Sequence, residues 1–170
     1  MKIVVLDGAV LNPGDLSWQR LHEIAPTVVY ASTTEEGIVE RAQGAEIVLT
    51  NKTRLSAVTL KRLPHLRYIG VLATGYDSVD VAAARALGMT VTNIPTYSTA
   101  SVAQFVFALL LELCHHVGLH SQEVKSGVWS REEWSFWKTP LIELSGKTLG
   151  IVGFGRIGRQ VGQIAVALQM

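Results

Sequence analysis

Three glycines near the end of the chain have the type and spacing to hold a phosphate: Gly153-x-Gly155-x-x-Gly158. A β-branched and apolar run, Thr148 to Val152, leads into them. A helix-period segment follows, with Ile157, Val161, Ile164, Ala165 and Leu168. Strand, glycine turn and helix are the context in which this spacing reads as a dinucleotide-binding fingerprint. Gly153 allows the sharp turn off the strand, Gly155 has no Cβ to hold a pyrophosphate away, and Gly158 lets the helix pack closely. The helix amides and dipole then face the phosphates. The competing explanation is a glycine-rich βα turn that binds nothing, and the rest of the chain must decide between them.

A second segment with chemical potential is Leu72-Ala73-Thr74-Gly75-Tyr76-Asp77-Ser78-Val79-Asp80. An extended run ends there in a small-residue turn, and Asp77 or Ser78 can cap the helix that follows. Successive amides at Ala73, Thr74 and Gly75 suit an anion nest of the size of a carboxylate. Taken alone, an ordinary βα turn with a good cap explains the segment better.

The elements that must position these segments alternate. Ile3–Leu6, 27–30, 46–50, 66–72 and 89–93 read as strands. Between them, 15–25, 34–42, 56–63 and 79–87 read as helices, with Pro64 and Gly88 as stops. Such alternation predicts a doubly wound parallel sheet. Ile94-Pro95-Thr96-Tyr97 breaks the rhythm and marks a boundary between residues 1–97 and 98–170. Ser101-x-x-Gln104 is a capping-box pattern for a long helix running to about Gly118. That helix is apolar nearly all round (Phe105, Val106, Phe107, Leu109, Leu110, Leu111, Leu113), so it must be covered by another domain or subunit.

Composition excludes several classes. With 170 residues, 48% hydrophobic and 17% charged, the chain reads as globular with a real core. A net charge of +1 gives no electrostatic case for nucleic acid or an anionic membrane. The single cysteine, Cys114, rules out an internal disulfide and fits a reducing compartment; its apolar surroundings make it a packing thiol. The N-terminal apolar run is too short for a signal peptide, and Val102–Cys114 is shorter than a membrane span, so a cytoplasmic location is expected. His115 and His116 sit at a helix end and diverge by about 100°, which favours capping over metal binding. Trp129, Trp134 and Trp137 suggest a loop folded over apolar surface, as a lid or as plain packing.

The order Ala73-Thr74-Gly75-Tyr76-Asp77-Ser78-Val79-Asp80, then Asn93-Ile94-Pro95, then Ser98-x-x-Ser101-Val102-Ala103-Gln104, then Ser145-Gly146-Lys147 through Gly158 resembles the D-isomer-specific 2-hydroxyacid dehydrogenases. Within them it looks most like glycerate dehydrogenases (hydroxypyruvate reductases). The resemblance covers essentially the whole chain, with Gln104 standing where many members have Glu. It implies a flavodoxin-like substrate domain (1–97) followed by the start of a Rossmann dinucleotide-binding domain (98–170). It implies hydride transfer between a nicotinamide, NAD or NADP with NAD as the family default, and a small 2-oxo or 2-hydroxy acid. Ala73, Thr74 and Gly75 would hold the substrate carboxylate, with Thr74 also near the nicotinamide. Val102 would line the cofactor cleft, and Gly153, Gly155, Arg156, Ile157 and Gly158 would hold the pyrophosphate. The region Ser98–Gly118 would form a two-fold dimer.

The family's catalytic Arg, acid and His lie past the fingerprint, so none is placed here; His22, His65, His115, His116 and His120 match none of them. The acidic residue that reads the ribose would fall at about residue 175. The expectation is therefore an N-terminal half of a longer enzyme, inactive by itself. Two other readings are a non-catalytic corepressor relative and a stand-alone flavodoxin-like module. Asp7-Gly8-Ala9-Val10-Leu11-Asn12 lacks the hydroxyl-rich phosphate loop that flavin binding would use, which weighs against the second.

Overall fold

The computed structural model describes residues 1–131 and 138–170. The chain divides into two compact units, Met1–Tyr97 and Ser98–Met170.

The first unit is a five-stranded parallel sheet of β1 (Ile3–Val5), β2 (Thr27–Val29), β3 (Ile47–Thr50), β4 (Tyr68–Val71) and β5 (Thr90–Thr92), in the order β2-β1-β3-β4-β5. It is joined by α1 (Gln19–Ile24), α2 (Ile38–Arg41), α3 (Ala57–Lys61) and α4 (Val81–Ala86). Strand alternation divides the core between the two sheet faces. Val4, Leu6, Val48, Ile69 and Val71 pack on one side with Ile38, Leu55, Leu60 and Ala84, while Ile3, Val5 and Leu49 pack on the other with Trp18 and Leu21. β1 is buried along its whole length, which is why it reads as an unbroken apolar run.

The helices are shorter than their periodicity suggests. α1 starts only at Gln19, and of 34–42 only Ile38–Arg41 is α-helical. Ser56 caps α3 by accepting the Thr59 amide. α4 is capped by Asp80, which accepts the Ala83 amide at 2.9 Å; neither Asp77 nor Ser78 serves. The turn through 77–80 places Asp80, rather than the earlier acid, directly before the first helical residue.

The second unit is built on α5 (Thr99–His115), followed by α6 (Val117–Lys125), a single 3-10 turn holding Trp129, and α7 (Arg156–Ala167). α5 begins at Thr99, so Ser101 lies inside the helix and the expected capping box does not form. It stops at His115 because His116 adopts left-handed backbone, φ 49°, and α6 departs at 61°. The Glu112 carboxylate then accepts the Gly118 amide at the start of α6. α5 and α7 pack through Ala103, Phe107, Val161 and Ala165, and Cys114 is buried. The opposite face of α5 is bare: Phe105 is 63%, Leu109 52% and Leu113 71% exposed. Among the described residues no single helix is long and apolar enough to cross a membrane.

The expected strand at 148–152 is not formed. A strand needs a neighbour for its N–H and C=O groups, and no described segment pairs with this one. Val152 is left fully exposed as a result. Trp134 and Trp137 lie outside the described residues.

Candidate functional site

Because every strand is parallel, the loops after β1, β3, β4 and β5 emerge at one edge of the sheet, the edge at which open α/β sheets bind ligands. The order reverses between β1 and β3, and the loops of those two strands are tied together by one acid. Asp7, buried just past β1, accepts the amides of Asn51 (2.9 and 3.1 Å), Lys52 (2.6 Å) and Thr53 (2.9 Å), together with the hydroxyls of Thr53 and Thr50. Three successive amides on one carboxylate are an anion nest filled from within the protein. In the sequence Asp7-Gly8 reads as a strand end and the start of a loop without the hydroxyls of a flavin phosphate site, not as a nest-filling acid. The signal available was an acid directly following a fully apolar central strand.

Ala73, Thr74 and Gly75 form the turn after β4. Their orientation is set by the loop after β5: the Ile94 amide donates to the Ala73 carbonyl (3.0 Å), the Thr74 hydroxyl to the Ile94 carbonyl (3.2 Å), and Asn93 Nδ2 to the Thr74 carbonyl (2.8 Å). With the carbonyls engaged by the neighbouring loop, the amides of residues 73–75 make no hydrogen bond to a described residue. Thr74 and Gly75 are exposed and Ala73 is buried beneath them. Three successive unpaired amides with no cationic side chain among them suit an anion the size of a carboxylate. Asn93 is a positioning residue that its place in the sequence alone does not reveal.

In the second unit Gly153 has φ +91°, a backbone that side chains rarely adopt, which explains the turn there. A Cβ on Gly158 would lie 2.3 Å from the Gly153 carbonyl oxygen, so only glycine lets α7 start this close to the turn. A Cβ on Gly155 would meet nothing within 4 Å: the space in front of it is open, as an incoming pyrophosphate requires. Gly155 is also the N-cap of α7 and supplies no side-chain cap, so the helix N-terminus and its dipole face the glycine turn. Arg156 and Ile157 occupy the first turn, and Val102 lies on α5 beside Ala103, which packs against α7. The fit to a dinucleotide phosphate is good. No cluster of three or more His, Cys, Asp or Glu is placed to hold a metal among the described residues.

A parallel sheet in this order with its ligand edge so arranged defines a flavodoxin-like α/β protein followed by a glycine-turn helix unit. Residues 3–153 match the family described as D-isomer specific 2-hydroxyacid dehydrogenase, catalytic domain, and the chain belongs to that family. It is 53% identical, over its whole length, to a hydroxypyruvate reductase of Blautia hydrogenotrophica and 40% identical to a glycerate dehydrogenase of Methylorubrum extorquens, covering 54% of each. Among solved structures it is similar to an NADPH-dependent glyoxylate/hydroxypyruvate reductase from Sinorhizobium meliloti in complex with NADP and malonate. That match has a TM-score of 0.74 and 29% identity, and covers 98% of this chain and 50% of the other. The chain thus spans about half the length of the relatives it matches.

Proposed function

We propose that this chain belongs to an NAD(P)-dependent oxidoreductase that interconverts a small 2-oxo acid and its D-2-hydroxy acid, of the glycerate/hydroxypyruvate or glyoxylate type. The observation that carries the reading is the turn at Ala73–Gly75, at the ligand edge of the sheet, whose amides bond to no described residue while the Ala73 and Thr74 carbonyls are held by the loop after β5. Those amides take the substrate carboxylate, and Thr74 lies toward the nicotinamide. Residues 1–97 act as the substrate domain and 98–170 as the beginning of the dinucleotide-binding domain. Gly153, Gly155, Arg156, Ile157 and Gly158 hold the pyrophosphate, with Val102 lining the cofactor cleft.

When bound, the nicotinamide supplies or accepts the hydride at C2 of the acid. The residues of this chain bind and orient: the nest fixes the carboxylate, so the carbonyl carbon is presented in one pose. Polarisation and proton transfer fall to an Arg and an acid-supported His in the portion of the relatives that this chain does not span. NAD and NADP both fit the glycine turn. The bare face of α5 within Ser98–Gly118 supports a homodimer, and the lone buried Cys114 suits a cytoplasmic setting.

The test is direct. A protein of the relatives' full length, assayed by loss of reduced-nicotinamide absorbance, should turn over hydroxypyruvate or glyoxylate, whereas the 170-residue chain alone should not. Turnover by the 170-residue chain, or none by the longer protein, would overturn the reading.

A further inference from the structure

A cavity of about 760 Å³ opens in the first unit between α2 and the turn that follows α3, a size within the range of small-molecule sites. Glu36 and Glu40 line it from the α2 side, and Arg62 and His65 from the α3 side. All four are exposed at its rim, while the buried Ala42, Ala45 and Leu63 give it an apolar base. The cavity lies away from the ligand edge, because segments 42–46 and 62–67 lead into β3 and β4 where those strands begin. β3 has four residues, so about 13 Å of strand separates the cavity from the loops of that edge.

The opposed charges do not meet. The side chains of Glu36, Glu40, Arg62 and His65 make no ion pair or hydrogen bond to a described residue. Two carboxylates that face a guanidinium across open space leave room for a molecule carrying both charges. The walls are also fixed before such a molecule arrives. The Ala45 amide donates to the Ala42 carbonyl at 2.9 Å, the Leu66 amide to the Leu63 carbonyl at 3.1 Å, and Lys2 Nζ to the Gln43 carbonyl at 3.0 Å. Preformed walls spare a ligand the cost of ordering them.

We propose that this cavity binds a free α-amino acid with an aliphatic side chain. Arg62 takes the carboxylate, to whose geometry its planar fork is matched. Glu36 and Glu40 take the ammonium, and the aliphatic chain lies on Ala42, Ala45 and Leu63. Neither a simple acid nor a simple amine satisfies both walls, since the first meets two carboxylates and the second a guanidinium. The site is therefore distinct from the one for a 2-oxo acid, and it stands whether or not Ala73–Gly75 holds a substrate carboxylate.

Isothermal titration calorimetry on the chain tests this with three probes of one aliphatic skeleton. These are L-leucine, isocaproate, which lacks the ammonium, and isoamylamine, which lacks the carboxylate. Leucine should bind, and each of the other two should bind roughly fivefold more weakly, the loss of one exposed ion pair. Arg62→Gln should weaken leucine by a similar factor without weakening isoamylamine, and Arg62→Lys should retain binding. Glu36→Gln with Glu40→Gln should weaken leucine without weakening isocaproate. Absence of heat with leucine at concentrations on the order of 10 mM, equal affinity for the three probes, or leucine binding indifferent to these substitutions would each overturn the proposal.

Discussion

A Cβ placed on Gly158 would lie 2.3 Å from the carbonyl oxygen of Gly153, inside any tolerable contact. The obstacle is backbone, which cannot rotate away as a side-chain tip can. Gly158→Ala should therefore push α7 off its turn and cost about 1–3 kcal/mol by overpacking, read as a lower urea-unfolding midpoint. Gly155→Ala is the contrasting case, since its Cβ meets nothing and its φ of −78° is ordinary. It should fold as well as wild type yet weaken nicotinamide-dinucleotide binding, because the added methyl occupies the phosphate approach. Equal cofactor affinity in Gly155→Ala would remove the phosphate role from this turn.

The Asp7 carboxylate is the largest single polar commitment in the first unit. Asp7→Ala strips the partner from three backbone amides and two hydroxyls at once. A loss of about 3 kcal/mol or more is expected, given the cost of unpaired buried donors, and denaturant titration measures it. A variant as stable as wild type would show that water replaces the carboxylate without penalty.

Asp77 and Asp80 separate what the sequence shows from what it hides. Both precede α4 and both are good capping residues, and the sequence points to Asp77 or Ser78, with the helix opening at Val79. The structure chooses Asp80, through the Ala83 amide. Asp80→Ala should cost about 1 kcal/mol, while Asp77→Ala should leave the melting temperature within experimental scatter. A larger effect at Asp77 would reverse the assignment.

The same distinction holds across the fold. β1, β3 and β4 were legible because Ile3–Val5, Val48–Leu49 and Ile69–Val71 are buried on both faces and read as apolar runs. The edge strands β2 and β5 are only partly buried and show through their β-branched Thr and Val residues. Helix ends were not, because Trp18, Gly37 and Ser98 precede their helices without a capping side-chain bond. The Ile47–Val48–Leu49 run and the Thr148–Val152 run look alike in composition, but only the first has neighbours to pair with. Of the site, glycine spacing and the Ala73–Gly75 turn were visible as local patterns. The Asp7 nest and the Asn93 clamp were not, since each joins residues about twenty or more positions apart in the chain.

The bare stripe on α5 sets a prediction about assembly. Phe105, Leu109 and Leu113 repeat at helical spacing and stay exposed, although Ala103 and Phe107 on the same helix are buried. If the proposed homodimer forms through this stripe, replacing Phe105 and Leu109 with Asp should yield monomers or aggregates in sedimentation velocity. An unchanged profile would argue that the stripe is not where two copies meet.

Asn93 tests whether the substrate turn works by orientation. Its Nδ2 holds the Thr74 carbonyl at 2.8 Å, and the next residue, Ile94, bonds both Ala73 and Thr74. Asn93→Ala removes the first of these bonds and keeps the backbone one, so the turn stays in place but is free to pivot. A nest that pivots presents its amides off-line, and small misplacements of a reacting group cost between about 10- and 100-fold in rate. The loss should appear in kcat/KM for the 2-oxo acid and exceed any change in cofactor KM, because the glycine turn of the second unit is untouched. Asn93→Asp makes the point sharper: a carboxylate cannot donate to the Thr74 carbonyl and adds a negative charge beside an anion site, so it should be worse than alanine. If the two substitutions instead behave alike and spare kcat/KM, the three amides are held by the chain's own turn and the clamp from β5 is dispensable.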